Sequence, residues 1–224
     1  MIGRPAPTVV GIDEAGRGAW LGPLVVGAAA VPRQALSRVA DTGARDSKTL
    51  SPARREEILA RLEQCAVLRS VEARPAEVDL HVVAGRLNEL EARLFGTLAR
   101  PFAPAEARVD ACDTNARRFA ASVARHAGPD VRVVARHHAD ATDPLVGAAS
   151  IVAKVRRDRA VRELAERLGE PVGSGYPSDP VTLRFVRRTV DPARPLPPWL
   201  RSSWATTRRV IGRGPPPPGR RELR

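Results

Sequence analysis

Residues 8–18 read Thr8-Val9-Val10-Gly11-Ile12-Asp13-Glu14-Ala15-Gly16-Arg17-Gly18. A β-branched run that closes on two acids and then a glycine-rich turn reads as a strand with carboxylates at its far end. A second apolar run, Leu24–Val31 (LVVGAAAV), follows at once, so the opening predicts two strands joined by a Gly-rich connection. Outward from this pair, short apolar runs alternate with amphipathic stretches. Ser51 and Pro52 open a helix over 52–65, as N-cap and first helical residue, and 65–73 reads as a strand. Leu87, Leu90, Leu94 and Leu98 share one helical face. Strands over 107–111 and 131–136 bracket a helix over 115–126. The longest helix spans 144–168, with Leu145, Ala148, Val152 and Val155 as its buried stripe. Helices over 181–190 and 200–211 complete the chain. The fold class is α/β, with one domain over 1–212 and a Pro/Arg tail over 213–224 that cannot pack.

Composition narrows the function. The 224 residues can bury a real core, and the 43% hydrophobic and 28% charged content is that of a globular chain. Two cysteines, Cys65 and Cys112, exclude a disulfide scaffold and a four-thiolate zinc site. The longest apolar run, Leu21–Val31, is too short for a bilayer and contains Gly22, Pro23 and Gly27. The first residues show no secretory pattern, and the expectation is a cytoplasmic monomer. A net charge of +12, carried almost wholly by Arg, favours a polyanionic partner such as nucleic acid; a compositional bias toward Arg is the plainer explanation.

The informative acids are those without a structural task. Asp143 and Asp179 each precede a proline at a helix start, and Asp113 or Thr114 opens the helix over 115–126; all read as caps. Asp13, Glu14, Asp110 and Asp140 remain. Each lies at or just after the end of an apolar run, where a carboxylate is costly unless it meets a charge. Strand ends are also where α/β sheets bind ligands. Carboxylates gathered there repel one another and favour a divalent cation, and an all-oxygen donor set selects Mg²⁺ or Mn²⁺ over zinc. In a basic chain this points to phosphodiester chemistry; salt-bridged acids are the alternative. His137 and His138, adjacent on a strand, would face opposite ways and form no single site; His81 and His126 read as surface residues.

The motifs together resemble type 2 ribonuclease H (ribonuclease HII), archaeal-type. They run through Gly11–Gly18 and Gly22–Val25, Asp46–Ser51, Leu87–Glu91, Val109–Ala111 and His138–Asp140. They continue through Ala148–Val155, Gly173–Pro180 and Arg201-Ser202-Ser203-Trp204. The resemblance covers about residues 8–211. It implies a ribonuclease H-like mixed central sheet flanked by helices, with a helical C-terminal region. It also implies hydrolysis of the RNA strand of RNA–DNA hybrids and incision 5′ of single ribonucleotides embedded in duplex DNA, leaving a 5′-phosphate and a 3′-hydroxyl.

By that resemblance the metal-binding and catalytic carboxylates are Asp13, Glu14, Asp110 and Asp140, holding two divalent ions, Mg²⁺ or Mn²⁺. Substrate binding is implied for Gly16, Arg17, Gly18, Lys48, Ser150, Lys154 and Tyr176. Glycines let the backbone approach the sugar, whose 2′-hydroxyl separates RNA from DNA. Tyr176, the only tyrosine, would stack beside that loop. Lys48 and Lys154 are the only lysines and suit phosphate contact, although a solvated helix position also fits Lys154. Where family members commonly carry lysine and tyrosine before the proline, this chain reads Ala141-Thr142-Asp143-Pro144, and Asp113 and Asp143 add negative charge. The tail holds no clamp-binding motif, so a sliding-clamp partner is not supported. A non-catalytic nucleic-acid-binding protein of the same fold is the alternative. A phosphotransferase is less consistent, because no G-x-x-x-x-G-K-[ST] stretch is present.

Overall fold

The opening apolar run becomes the middle strand of a five-stranded sheet in the computed structural model, which describes residues 8–44, 47, 49–103 and 105–212. The strands are β1 (Thr8–Ala15), β2 (Leu24–Pro32), β3 (Val67–Ala73), β4 (Ala105–Asp110) and β5 (Val131–Arg136), in the order β3-β2-β1-β4-β5. β1 is antiparallel to β2 and parallel to β4, and β4 is parallel to β5, so the sheet is mixed as expected. β2 is buried from Leu24 to Val31, which is why it reads as an unbroken apolar run rather than an alternating one.

The helices are α1 (Leu36–Ala40), α2 (Pro52–Leu62), α3 (Pro75–Val83), α4 (Leu87–Ala99) and α5 (Ala116–Ala127). They continue with α6 (Ala139–Thr142), α7 (Pro144–Leu168), α8 (Pro180–Thr189) and α9 (Ala205–Val210). Capping follows the sequence at α2, α7 and α8, where Ser51, Asp143 and Asp179 accept backbone N–H groups of the first turn. The cap of α5 differs from expectation. Asn115, not Asp113 or Thr114, accepts the Arg118 N–H at 3.0 Å. His137 and His138 also lie beyond β5 in a turn rather than on a strand, with His138 left-handed at φ 55°. No helix among the described residues is long and apolar enough to cross a membrane.

Two compact units emerge along the chain. Among the described residues the first comprises those of 8–15, 25–72 and 88–156, and the second those of 16–24, 73–87 and 157–212. The division passes through α7 between Arg156 and Arg157.

In the first unit the sheet packs against the leading half of α7. Leu145, Ala148, Val152 and Val155 of that helix join Val9, Ala29 and Val31 of the sheet and Ile58, Leu59 and Leu62 of α2. Glycines set how close the helix comes. A Cβ on Gly11 would collide with the Leu145 carbonyl, and one on Gly27 would stand 2.5 Å from the Ala149 oxygen. The α7 backbone therefore rests directly on the sheet at β1 and β2. On α4 and α5, Phe95 and Phe119 meet edge to face, their centroids 5.4 Å apart.

The second unit has its own core of Trp20, Leu21, Val161, Leu164, Phe185, Val186 and Leu200 among others. A Leu21–Leu200 β-bridge ties its early and late segments together. Asp79 of α3 holds the stretch before α9, accepting the N–H groups and hydroxyls of both Ser202 and Ser203.

Candidate active site

Strand register builds the site. Ile12 of β1 pairs with Val109 of β4, so the next residues, Asp13 and Asp110, arrive side by side at the same end of two parallel strands. Asp13 is 4% exposed. Burial first, and the neighbouring Asp110 charge as well, push its carboxyl up to about 6; the Ser150 hydroxyl, the Lys154 ammonium and the Glu14 N–H oppose the rise. The Glu14 N–H donates to Asp13 Oδ1 at 2.8 Å.

The close packing of α7 brings its polar groups to this carboxylate. Ser150 and Lys154 are one helical turn apart, and Lys154 Nζ donates to Ser150 Oγ at 2.6 Å and to the buried Ser47 Oγ at 2.7 Å. The two hydroxyls stand 2.9 Å from each other. Lys154 is thus turned onto this hydroxyl pair and toward Asp13 instead of lying on a solvated helix face. Sequence signals Ser47 only by its place beside Lys48 in the 46–51 motif. Lys48 and Asp46 lie outside the described residues, as does the tail over 213–224.

Asp110 is fixed from the other side. Its Oδ1 accepts the Ala139 N–H at 2.7 Å, made possible by the left-handed turn at His138. Asp140, the next residue on α6, is 4% exposed. Glu14 Oε2 and Asp140 Oδ1 are buried oxygens that accept no hydrogen bond among the described residues, although both side chains have other partners. Among the described residues no three His, Cys, Asp or Glu side chains form a finished metal cage. The donor set nonetheless suits a hard cation: carboxylate and hydroxyl oxygens face Asp13, and burial keeps its charge unfavourable even with the Lys154 ammonium nearby.

The remaining nearby acids have structural tasks. Asp143 pairs with Arg108 at 3.0 Å besides capping α7. Asp113 is gripped by both Arg118 Nε and Nη2, the Asn115 N–H and Asn88. Burial alone would raise Asp113, but these donors outweigh it and hold the carboxyl at about 2. Its stabilising effect is therefore full above the ordinary value of 3.8 and disappears as pH falls from there toward about 2. Asp113→Asn is expected to cost about 1 kcal/mol at pH 7 and nothing near pH 2. Urea unfolding of both proteins across that range checks it; a pH-independent difference would contradict the pairing.

The other predicted substrate residues belong to the second unit. Gly16, at φ +86°, donates its N–H to the Tyr176 hydroxyl at 3.1 Å. Gly18 is exposed, and a Cβ there would meet nothing within 4 Å. Arg17 is partly exposed between them. The Tyr176 ring lies under the Arg157 guanidinium, 4.3 Å from centroid to carbon.

Comparison with known proteins agrees with this architecture. A family model described as Ribonuclease HII matches residues 10–207. A ribonuclease HII of Methanocella arvoryzae is 41% identical over 212 residues, covering 94% of this chain and 95% of the relative. The crystal structure of ribonuclease H2 from Pyrococcus horikoshii OT3 superposes with a TM-score of 0.82 at 36% identity, covering 92% of this chain and 97% of that one. The ribonuclease HII in a PCNA:RNase HII complex from Archaeoglobus fulgidus gives 0.81 at 35% identity, covering 90% and 96%.

Proposed function

We propose, from the premise that this chain belongs to the ribonuclease HII family, a specific form of that family's ribonuclease H endonuclease activity. The enzyme incises 5′ of single ribonucleotides embedded in duplex DNA and also cuts the RNA strand of hybrids, leaving a 5′-phosphate and a 3′-hydroxyl. The observation that carries this reading is the buried Asp13 beside Asp110 at the ends of parallel strands, its carboxyl raised by burial and by that neighbour.

Asp13, Glu14, Asp110 and Asp140 would hold two divalent ions, Mg²⁺ or Mn²⁺. When bound there, such ions acidify an attacking water and neutralise charge on the scissile phosphate. The chain's own groups prepare the ligands. Ser150 donates to Asp13 while Lys154 donates to Ser150, so one carboxylate orientation is fixed before substrate arrives. The Ala139 N–H does the same for Asp110. Gly16, Arg17 and Gly18 meet the ribose with their backbone, and Tyr176 stacks on the neighbouring sugar. Lys48 contacts phosphate, and the Arg excess holds the flanking duplex. The PCNA partnership of the Archaeoglobus protein is not extended to this chain, whose segment 213–224 has neither glutamine nor aromatic residue.

An end-labelled duplex carrying one ribonucleotide tests the reading, with Mg²⁺, Mn²⁺ or EDTA. The expected result is one metal-dependent cut on the 5′ side of the ribonucleotide, its upstream fragment extendable by a polymerase because it ends in a 3′-hydroxyl. A cut on the 3′ side, or hybrid cleavage alone, would overturn the specific form.

A further inference from the structure

Among the described residues the two largest fully buried side chains are arginines, Arg157 at 2% exposure and Arg201 at 0%. A buried guanidinium ordinarily meets a carboxylate, because an uncompensated cation in the interior is costly. Arg201 directs Nε and Nη1 at backbone carbonyls. Its Nη1 donates to the Gly16 carbonyl at 2.5 Å and to the Arg17 carbonyl at 3.1 Å, and its Nε donates to the Gly22 carbonyl at 3.0 Å. The residue is pinned from its own main chain as well, where its N–H donates to the Trp20 carbonyl beside the Leu21–Leu200 bridge.

Peptide planarity gives those contacts a consequence. In a trans peptide the C=O and the following N–H point in opposite directions. Holding the Gly16 and Arg17 carbonyls on the Arg201 side therefore aims the Arg17 and Gly18 N–H groups away from it. Two donors face one way, as an acceptor such as a ribose 2′-oxygen requires.

Arg157 supports the same loop and its tyrosine. It runs against two glycines: a Cβ on Gly175 would collide with its Nη2 at 2.6 Å, and one on Gly16 would touch its Cγ at 3.4 Å. Its Nε and Nη2 are buried without a hydrogen bond among the described residues, and Nη1 reaches Asp158 at 3.4 Å. Its guanidinium also lies over the Tyr176 ring, whose hydroxyl accepts the Gly16 N–H.

We propose that Arg201 and Arg157 are positioning residues for ribose recognition, together fixing the Gly16–Gly18 backbone and the Tyr176 ring in one relative geometry. This rests on the reading of that loop and tyrosine as the ribose contact. Neither arginine touches substrate. Both act from the buried side, and lysine cannot replace either, because its single ammonium cannot reach three carbonyls or cover the ring as a plane.

The test uses the full chain and four variants, Arg201→Lys, Arg201→Met, Arg157→Lys and Tyr176→Ala. It measures kcat and KM on a single-ribonucleotide duplex and on a continuous RNA–DNA hybrid, with melting temperatures alongside. Arg201→Lys is expected to lower kcat on the single-ribonucleotide duplex by about 30- to 100-fold, with KM within about threefold and the hybrid affected several-fold less. Arg157→Lys should move the ratio between the two substrates the same way by about tenfold. Arg201→Met should exceed Arg201→Lys; if it fails to fold, the ratios of the two lysine variants decide. A merely structural role would lower both substrates by one common factor. An unchanged ratio in the lysine variants, while Tyr176→Ala shifts it, overturns the inference and leaves the ribose reading standing. An unchanged ratio in Tyr176→Ala overturns the ribose reading itself, and the inference with it.

Discussion

Asp13→Asn is expected to lower kcat by about 10³-fold or more and, in the absence of divalent ions, to make the folded chain more stable at pH 7. The two effects have one origin. Burial, with Asp110 beside it, raises Asp13 to about 6 from an ordinary value of 3.8. The unfolded chain releases this proton at lower pH than the folded one does. The group's contribution therefore declines as pH rises from about 4 to about 6, and the full cost remains above that. Asparagine carries no charge and can still accept the Glu14 N–H, so the variant should gain about 1–3 kcal/mol at neutral pH. Below about pH 4 the gain should vanish. A bound cation compensates the same buried charge, so Mn²⁺ should raise the melting temperature of the native sequence well above that of the variant. Melting curves against pH, with Mn²⁺ or EDTA, and single-turnover cleavage measure all of this. A variant that is less stable at pH 7 and keeps its rate would contradict the reading of Asp13 as a buried ligand.

Gly11→Ala is the substitution with the largest expected effect on the fold. The added methyl would run into the Leu145 carbonyl and the Val146 nitrogen, both backbone atoms of α7 that no rotamer change can move aside. The helix must lift from β1, at an expected cost of about 2–4 kcal/mol. Because Ser150 and Lys154 ride on that helix, the protein that remains folded should also lose kcat, while its affinity for duplex changes little. Urea unfolding and steady-state kinetics check the two parts. A change under about 0.5 kcal/mol would mean that α7 does not rest on the strand as described.

How much was legible in the sequence follows from the range of each interaction. The strand over 8–13, which the fold extends to Ala15, the proline-led starts of α2, α7 and α8 and the Leu145–Val155 stripe rest on local periodicity and capping, and they are legible. So is the mixed sheet, through the resemblance to ribonuclease HII. Elimination of cap-forming acids singled out Asp13, Glu14, Asp110 and Asp140, but no spacing rule says which strand ends become neighbours. That required the β1–β4 register. A glycine inside a strand signals a close approach without naming its partner, so Gly11 and Gly27 could not be tied to α7.

Longer-range features left less trace. Ser47 and Lys154 meet across 107 positions of sequence. Arg201 looks like any other arginine in a chain rich in them, and its complete burial depends on carbonyls 179 to 185 positions away. The division into two units runs through the middle of α7, where no linker composition marks it. The α5 cap was misplaced because Asp113, Thr114 and Asn115 are all competent caps, and the Arg118 grip on Asp113 decides among them.

The most direct test is an anomalous-difference map from crystals of the protein with Mn²⁺ and an RNA–DNA hybrid that cannot be cleaved. Manganese peaks within coordinating distance of the Asp13 and Asp110 carboxylates, against the phosphate of the RNA strand, are the predicted result. Manganese bound elsewhere, or a site empty of metal under conditions in which the enzyme in solution cuts, would contradict it.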